Sequence, residues 1–334
     1  MSKQSVFLLG PGFIGGEVLN LLVKCEKYDV TTLVRQDSTA AAFHQRGIKT
    51  VVGTLDDESI IRQHVSGSDI VIHTANADHQ LSVRTILDGI RQRAEYNQST
   101  IYIHTSGAGI LSDDSNGAFK TDKIFDDETP NFINTLPDEV PHRQVDLTIT
   151  RQNLGDRAKI AIMMPPLIYG VSMPDKRLSI QLPTLVQYAL KNGYAGQIAE
   201  GRSVWNQIHV KDLARGYITL LHWLEQAPVE DVLSNPYWFC ENGQELSWND
   251  CVSEIGQALY QAGRIEDPTP RSIPADNFKD LYGRHTPIAL GSNSRSRANR
   301  LRKLGWEAKE KLTLDSLVQD EIPLILEQNV PREA

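Results

Sequence analysis

The segment VFLLGPGFIGGEVLNLL, running from Val6 to Leu22, places Gly10, Gly12 and Gly15 in GxGxxG spacing between an apolar run and a helical pattern. Val6-Phe7-Leu8-Leu9 suits a strand buried on both faces, and Ile14, Val18 and Leu22 recur at the i, i+4, i+8 spacing of one helix face. The chain must turn sharply from strand to helix at the glycines. Gly10 permits the turn, Gly12 lets the backbone approach a pyrophosphate, and Gly15 lets helix and strand pack closely. A helix N-terminus, with free N–H groups and a favourable dipole, then receives the phosphates. The spacing predicts a dinucleotide site over Gly10, Gly12, Phe13, Ile14 and Gly15.

The same strand-helix logic repeats downstream. Val30 to Val34, Thr50 to Val52, Asp69 to His73, Ser99 to Thr105 and Lys159 to Met164 read as further strands with helical segments between several of them. This alternation predicts an α/β fold with a doubly wound parallel sheet and ligands at the carboxyl ends of its strands. Residues 1–170 are expected to form the Rossmann domain. Residues 171–334, where the alternation fades and Pro, Trp and Tyr become frequent, are expected to form a smaller substrate lobe, with about 204–224 returning to the first. The polar, acidic stretch from Gly109 to His142 exceeds an ordinary connection, and such loops are usually functional or mobile.

The net charge of −8 argues against nonspecific nucleic-acid binding, which needs many Lys and Arg to neutralise phosphates. A small-molecule partner is expected instead. With no cleavable apolar leader and no run of about twenty apolar residues, neither secretion nor a membrane is expected, and a cytoplasmic location follows. Cys25, Cys240 and Cys251 have no metal-site or disulfide spacing. His73, His79, His104 and His209 likewise share no metal-ligand spacing, and read as core or strand-end residues. The basic run Arg295, Arg297, Arg300, Arg302 and Lys303 reads as a solvated helix face.

An NAD-preferring fold ends its second strand with an acid that holds the ribose 2′-OH, whereas this chain has Arg35, with Ser38 close behind. A guanidinium suits a 2′-phosphate, so NADP(H) is favoured. Asp37 complicates that preference and leaves NAD(H) open.

With GPGFIGG at Gly10 to Gly16, GTLDD at Gly53 to Asp57, HTSGAG at His104 to Gly109, PPLIYG at Pro165 to Gly170, IHVKDLA at Ile208 to Ala214 and LGW at Leu304 to Trp306, the chain resembles the short-chain dehydrogenase/reductase superfamily. The likeness is to its extended branch of NAD-dependent epimerase/dehydratase-like proteins. The resemblance implies that Leu55 and Asp56 flank the adenine, that Thr74 and Ala75 line phosphates and ribose, and that Pro165, Pro166 and Leu167 contact the nicotinamide amide. It also implies a homodimer. The family's usual glycine motif is GxxGxxG, one residue longer at the turn, which marks an atypical subgroup.

The larger departure is in the active site. The family's Tyr-x-x-x-Lys, in which the lysine lowers the phenol's pKa and holds the ribose, occurs nowhere in this sequence. Two registers fill its place: His142 for the tyrosine with Asp146 for the lysine, or Asp138 for the tyrosine with His142 for the lysine. A histidine titrates near neutrality unaided, so His142 is a candidate proton donor or acceptor, with Asp146 one helical turn away to orient it. The alternative is that His142 only starts a helix after Pro141. Ser106, on the strand that carries the family's catalytic serine region, is a candidate partner for a substrate carbonyl. Thr105 rivals it by position, and either residue could instead hold the cofactor ribose. Tyr169 offers a substitute phenol. Trp205 and Asn206 are candidate substrate contacts, with core packing as the commoner role for such a tryptophan.

These residues predict an NADP(H)-dependent reductase of a small organic carbonyl or enone. The alternatives are a nonredox isomerase, epimerase, dehydratase or cyclase using His142, Asp138 or Asp146, and an NADP-sensing regulatory protein.

Overall fold

The computed structural model describes residues 3–129, 131–173 and 175–328. Its centre is a seven-stranded sheet, all of whose pairings are parallel: β1 (Gln4–Leu9), β2 (Tyr28–Val34), β3 (Lys49–Val52), β4 (Ile70–His73), β5 (Thr100–Thr105), β6 (Ala158–Met164) and β7 (Tyr237–Phe239). The spatial order is 3-2-1-4-5-6-7, the Rossmann order extended by one strand. Strands buried on both faces explain the continuous apolar runs. Along β1, Val6 and Leu8 join one core layer with helices α1 (Phe13–Lys24) and α7 (Val210–Gln226). Phe7 and Leu9 point the other way, into a layer with α3 (Glu58–Ser66), α4 (Gln80–Glu95) and α5 (Arg143–Thr150). Helix α2 (Asp37–Gln45) completes the first layer through Ala40 and Phe43.

A second hydrophobic core forms around a three-stranded sheet of Leu167–Tyr169, Val204–His209 and Glu245–Ser247, covered by α6 (Gln181–Asn192), α8 (Trp248–Gln261) and the C-terminal turns. Between the second and third of these strands the chain returns to the first core through α7, whose Leu213, Ala214 and Tyr217 share a layer with Val18, Leu19 and Leu22 of α1. β7 follows. Its Tyr-Trp-Phe run belongs to the main sheet, and the sequence pattern did not distinguish it from second-lobe aromatics. No described helix is long and apolar enough to cross a membrane.

Two surface segments take definite positions. The stretch after Gly109 is pinned to the second lobe: Asp113 accepts from the Asn293 backbone N–H and side-chain amide, Ser115 donates to the Gly291 carbonyl, and Arg295 donates to the Thr121 carbonyl. The basic run is a solvated face only at its end, where Arg302 and Lys303 are exposed and Lys303 pairs with Glu128. Arg295 and Arg297 pair with Glu245, Arg302 pairs with buried Glu241, and the Arg300 guanidinium lies 3.6 Å from the centre of the Trp238 ring. These arginines staple the C-terminal segment because a largely sheltered acid, Glu245 or Glu241, or a ring face receives each of them.

Candidate active site

The glycine turn has the geometry its spacing demands. Gly10 has φ +91°, and a Cβ there would lie 2.4 Å from the Ala75 Cα. A Cβ on Gly15 would lie 2.1 Å from the Gly10 carbonyl oxygen and 2.3 Å from Thr74 Oγ1. Thr74 in turn donates to the Gly10 carbonyl at 2.8 Å. Thr74 and Ala75 thus brace the turn from beneath. Gly12 caps α1, and among the described residues beyond its chain neighbours a Cβ built on it would meet only the Arg177 Nη1 atom at 3.9 Å, which leaves the helix N-terminus, where free N–H groups favour an anion, unobstructed by backbone. These residues fit a dinucleotide diphosphate.

At the end of β2, Arg35 and Ser38 are exposed and make no side-chain hydrogen bond or ion pair among the described residues. Asp37 is the first residue of α2, where the helix dipole favours an acid. Leu55 packs against the second core layer, and the exposed Asp56 carboxylate lies 3.3 Å from His79 Nε2. His79 caps α4 by accepting from the Ser82 N–H. Pro165, Pro166 and Leu167 are buried beyond β6, where the Pro165 carbonyl accepts from the Ala108 N–H. Thr105 is buried with its hydroxyl 2.5 Å from the Tyr217 hydroxyl, which fixes it inside the protein.

Past the end of β5, two pairs assemble. Ser106 donates from Oγ to Asp146 Oδ2 at 2.8 Å, both side chains being buried. Burial pushes the Asp146 carboxyl up to about 7, against the opposing pull of the Ser106 hydrogen bond and of His142 and Arg143. The other Asp146 oxygen is buried without a hydrogen-bond partner. The second pair is His142 Nδ1 with Asp78 Oδ1 at 2.9 Å. That hydrogen bond holds the Asp78 carboxyl below its ordinary value. The His142 ring also fills the space beside Gly107, where a Cβ would lie 3.0 Å from His142 Nε2.

The pairing differs from the expected one. His142 sits at the N-cap of α5 with φ +66°, and although the Asp146 N–H bonds its carbonyl, Asp146 orients Ser106 and not the imidazole. Asp138 stays outside the cluster: its exposed carboxylate lies 3.5 Å from Arg151, so the register with Asp138 in place of tyrosine is not assembled. Tyr169 is no free phenol. Its hydroxyl donates to the Lys311 carbonyl and accepts from Asn242, and burial pushes it up to about 12. Trp205 donates to the Ser292 carbonyl at 2.6 Å and meets Trp248 edge-on inside the second core. Asn206 is spent on the Gln244 carbonyl and the Ser296 N–H. Both side chains are buried.

The sequence reading missed Asp78. It lies five residues beyond β4, at a strand's carboxyl end where ligand sites gather, but no spacing ties it to His142. His73 and His104, read from the sequence as core or strand-end residues, are buried near the strand ends, where they stack with their Nδ1 atoms 3.3 Å apart and burial lowers both pKa values. His209, by contrast, caps α7 by accepting from the Lys211 N–H.

Residues 10–136 match the NAD(P)H-binding family model. Oxidase ucsJ of Acremonium sp is 27% identical over 331 residues, covering 92% of this chain and 93% of its own. An uncharacterized protein of Schizosaccharomyces pombe is 27% identical over 326 residues, covering 94% and 98%. Among solved structures, the dTDP-glucose 4,6-dehydratase DesIV of Streptomyces venezuelae, solved with NAD bound, superposes with a TM-score of 0.69 at 15% identity over 97% of each chain. The UDP-glucose 4-epimerase of Thermotoga maritima superposes at 0.66 and 15% identity, over 96% of this chain and 99% of its own.

Proposed function

From an NAD(P)H-binding domain set in the fold of the NAD-dependent epimerases and dehydratases, we propose that this protein is an NADP(H)-dependent oxidoreductase reducing a small organic carbonyl or enone. One observation carries the reading: the buried Ser106–Asp146 hydrogen bond, with a carboxyl poised at about 7, just beyond the strand ends where the fold seats its cofactor. Gly10, Gly12 and Gly15 with Thr74 and Ala75 would hold the dinucleotide, which when bound would supply the hydride. When Asp146 is protonated, its Oδ2–H donates across the same 2.8 Å contact to Ser106 Oγ, which frees the Ser106 proton for the substrate oxygen that becomes negative, and the Asp146 proton then replaces it on Oγ. A carboxylic acid kept half neutral near pH 7 serves this role as a phenol would, since the best proton donor has a pKa near working pH. His142 and Asp78 act as a positioning pair that ties the β4 loop to the start of α5 and shields the Gly107 turn.

Arg35 and Ser38, exposed after β2 and without a side-chain partner among the described residues, support NADP(H) over NAD(H). Oxidase ucsJ, whose name describes a redox enzyme, supports net electron transfer. The nonredox reading rests on the epimerase and dehydratase neighbours and requires the same carboxyl without net hydride loss.

The test follows NADPH fluorescence on adding protein, then its decay with a panel of ketones, aldehydes and enones, beside NADH. Binding with substrate-dependent decay supports the reductase. Binding with turnover of a sugar nucleotide and no net NADPH loss would overturn it in favour of the isomerase class.

A further inference from the structure

The segment that follows Tyr169 crosses back over the glycine turn. Val171–Ser172 and Arg177–Leu178 pair antiparallel, with Arg177 opposite Ser172. The connection between them is strapped to α1: the Met173 N–H donates to Glu17 Oε1 at 2.6 Å, and the Asn20 side-chain amide donates to the Met173 carbonyl at 2.9 Å. Arg46 of the turn after α2 holds Asn20 from the other side at 2.6 Å. A small cleft is left between this strap and the start of α1, lined by Pro11, Gly12, Gly16, Ser172 and Arg177.

The position of Arg177 in that cleft is informative. Beyond its chain neighbours, the Arg177 Nη1 atom at 3.9 Å is the one heavy atom among the described residues within 4 Å of a Cβ built on Gly12. Gly12 is the N-cap of α1, the residue at which the dinucleotide reading brings a diphosphate to the first N–H groups of the helix. The guanidinium is otherwise lightly committed: it is about two-fifths exposed, and its ion pair with Asp175 is long at 3.5 Å.

We infer that Arg177 is a cofactor-binding residue, a clamp from the second lobe that closes on the dinucleotide diphosphate opposite the helix N-terminus. The inference rests on the dinucleotide reading above. It assigns a separate cation to each phosphate group: Arg35 to the 2′-phosphate and Arg177 to the diphosphate. A guanidinium held over an anion by a braced hairpin gives charge-assisted hydrogen bonds that backbone N–H groups alone do not. Asp175 competes for the same guanidinium.

The test measures binding of NADPH, NADH and ADP-ribose by calorimetry to the full chain and to Arg177→Ala, Arg177→Lys, Asp175→Asn and Arg35→Ala. The expected result is roughly tenfold weaker binding of all three probes by Arg177→Ala, partly recovered in Arg177→Lys. The loss narrows as salt rises. Asp175→Asn tightens all three, and Arg35→Ala weakens NADPH alone. Binding of all three by Arg177→Ala within twofold of the parent overturns the inference, as does a loss confined to NADPH. Failure of the parent chain to bind any probe would instead overturn the dinucleotide reading, and the clamp with it.

Discussion

Replacing Asp146 by Asn removes one buried titration while leaving an acceptor for the Ser106 hydroxyl. In the native protein burial holds the Asp146 carboxyl at about 7, whereas in the unfolded chain it returns to 3.8. Between those values the native state keeps a proton that the unfolded state releases. Stability therefore falls as pH rises through this window. Three units at ~1.36 kcal/mol each make the contribution about 4 kcal/mol by pH 7. The full effect is an upper figure, because water and small movements relieve part of a buried charge. Glu321, raised by burial to about 7, and Asp127, raised to about 6, add slopes of the same sign. The assay is urea unfolding of the parent and Asp146→Asn at half-unit steps from pH 4.5 to 8, read as the difference between the two curves. The variant is expected to gain relative stability steadily up to pH 7 and to level off above it. Ser106→Ala, which deletes the hydrogen bond that pulls this pKa down, extends the parent's decline to higher pH. Parallel curves for parent and Asp146→Asn would refute a carboxyl neutral at pH 6.

Other perturbations separate cofactor, site and core. Gly15→Ala drives a methyl into the Gly10 carbonyl and Thr74, and should abolish the NADPH fluorescence change. Tyr169→Phe loses two buried hydrogen bonds and should cost about 1–3 kcal/mol in thermal or urea unfolding while leaving turnover within a few-fold. His142→Ala removes a group that lowers the Asp146 pKa, so the falling limb of the pH–rate profile should move to higher pH. A limb that vanishes altogether would make His142 the proton donor.

The fold was legible because a parallel sheet writes itself as uninterrupted apolar runs punctuated by glycine. Val6 to Leu9 and Ile70 to His73 show this directly. β7 was not legible, because three aromatic residues in isolation suit any core, and only the pairing with Ile162 to Met164 makes them a strand. The glycine turn could be read because steric contacts as short as 2.1 Å admit no other residue type. The site's proton chemistry could be read only to the level of membership. Ser106, His142 and Asp146 were placed together by the resemblance, but their pairing depends on how α5 begins. The left-handed backbone of His142 swings the imidazole to Asp78 and leaves Asp146 facing Ser106. Arg177 had no sequence signal, since its approach to Gly12 is made by a hairpin more than 150 residues further along the chain. The misread Arg295 and Arg300 illustrate the converse: a charge is drawn in from the surface where an acid or a ring face is waiting for it.

The most direct measurement is the single-turnover rate of NADPH oxidation against pH, with the best carbonyl substrate from the panel, for the parent and Asp146→Asn at saturating NADPH. The account predicts a rate that is high below pH 7 and falls above it in the parent. It predicts a loss of roughly 10²-fold or more in Asp146→Asn, with NADPH affinity unchanged. A variant that keeps the parent's rate and its pH limb would contradict the assignment of the Ser106–Asp146 pair as the proton source.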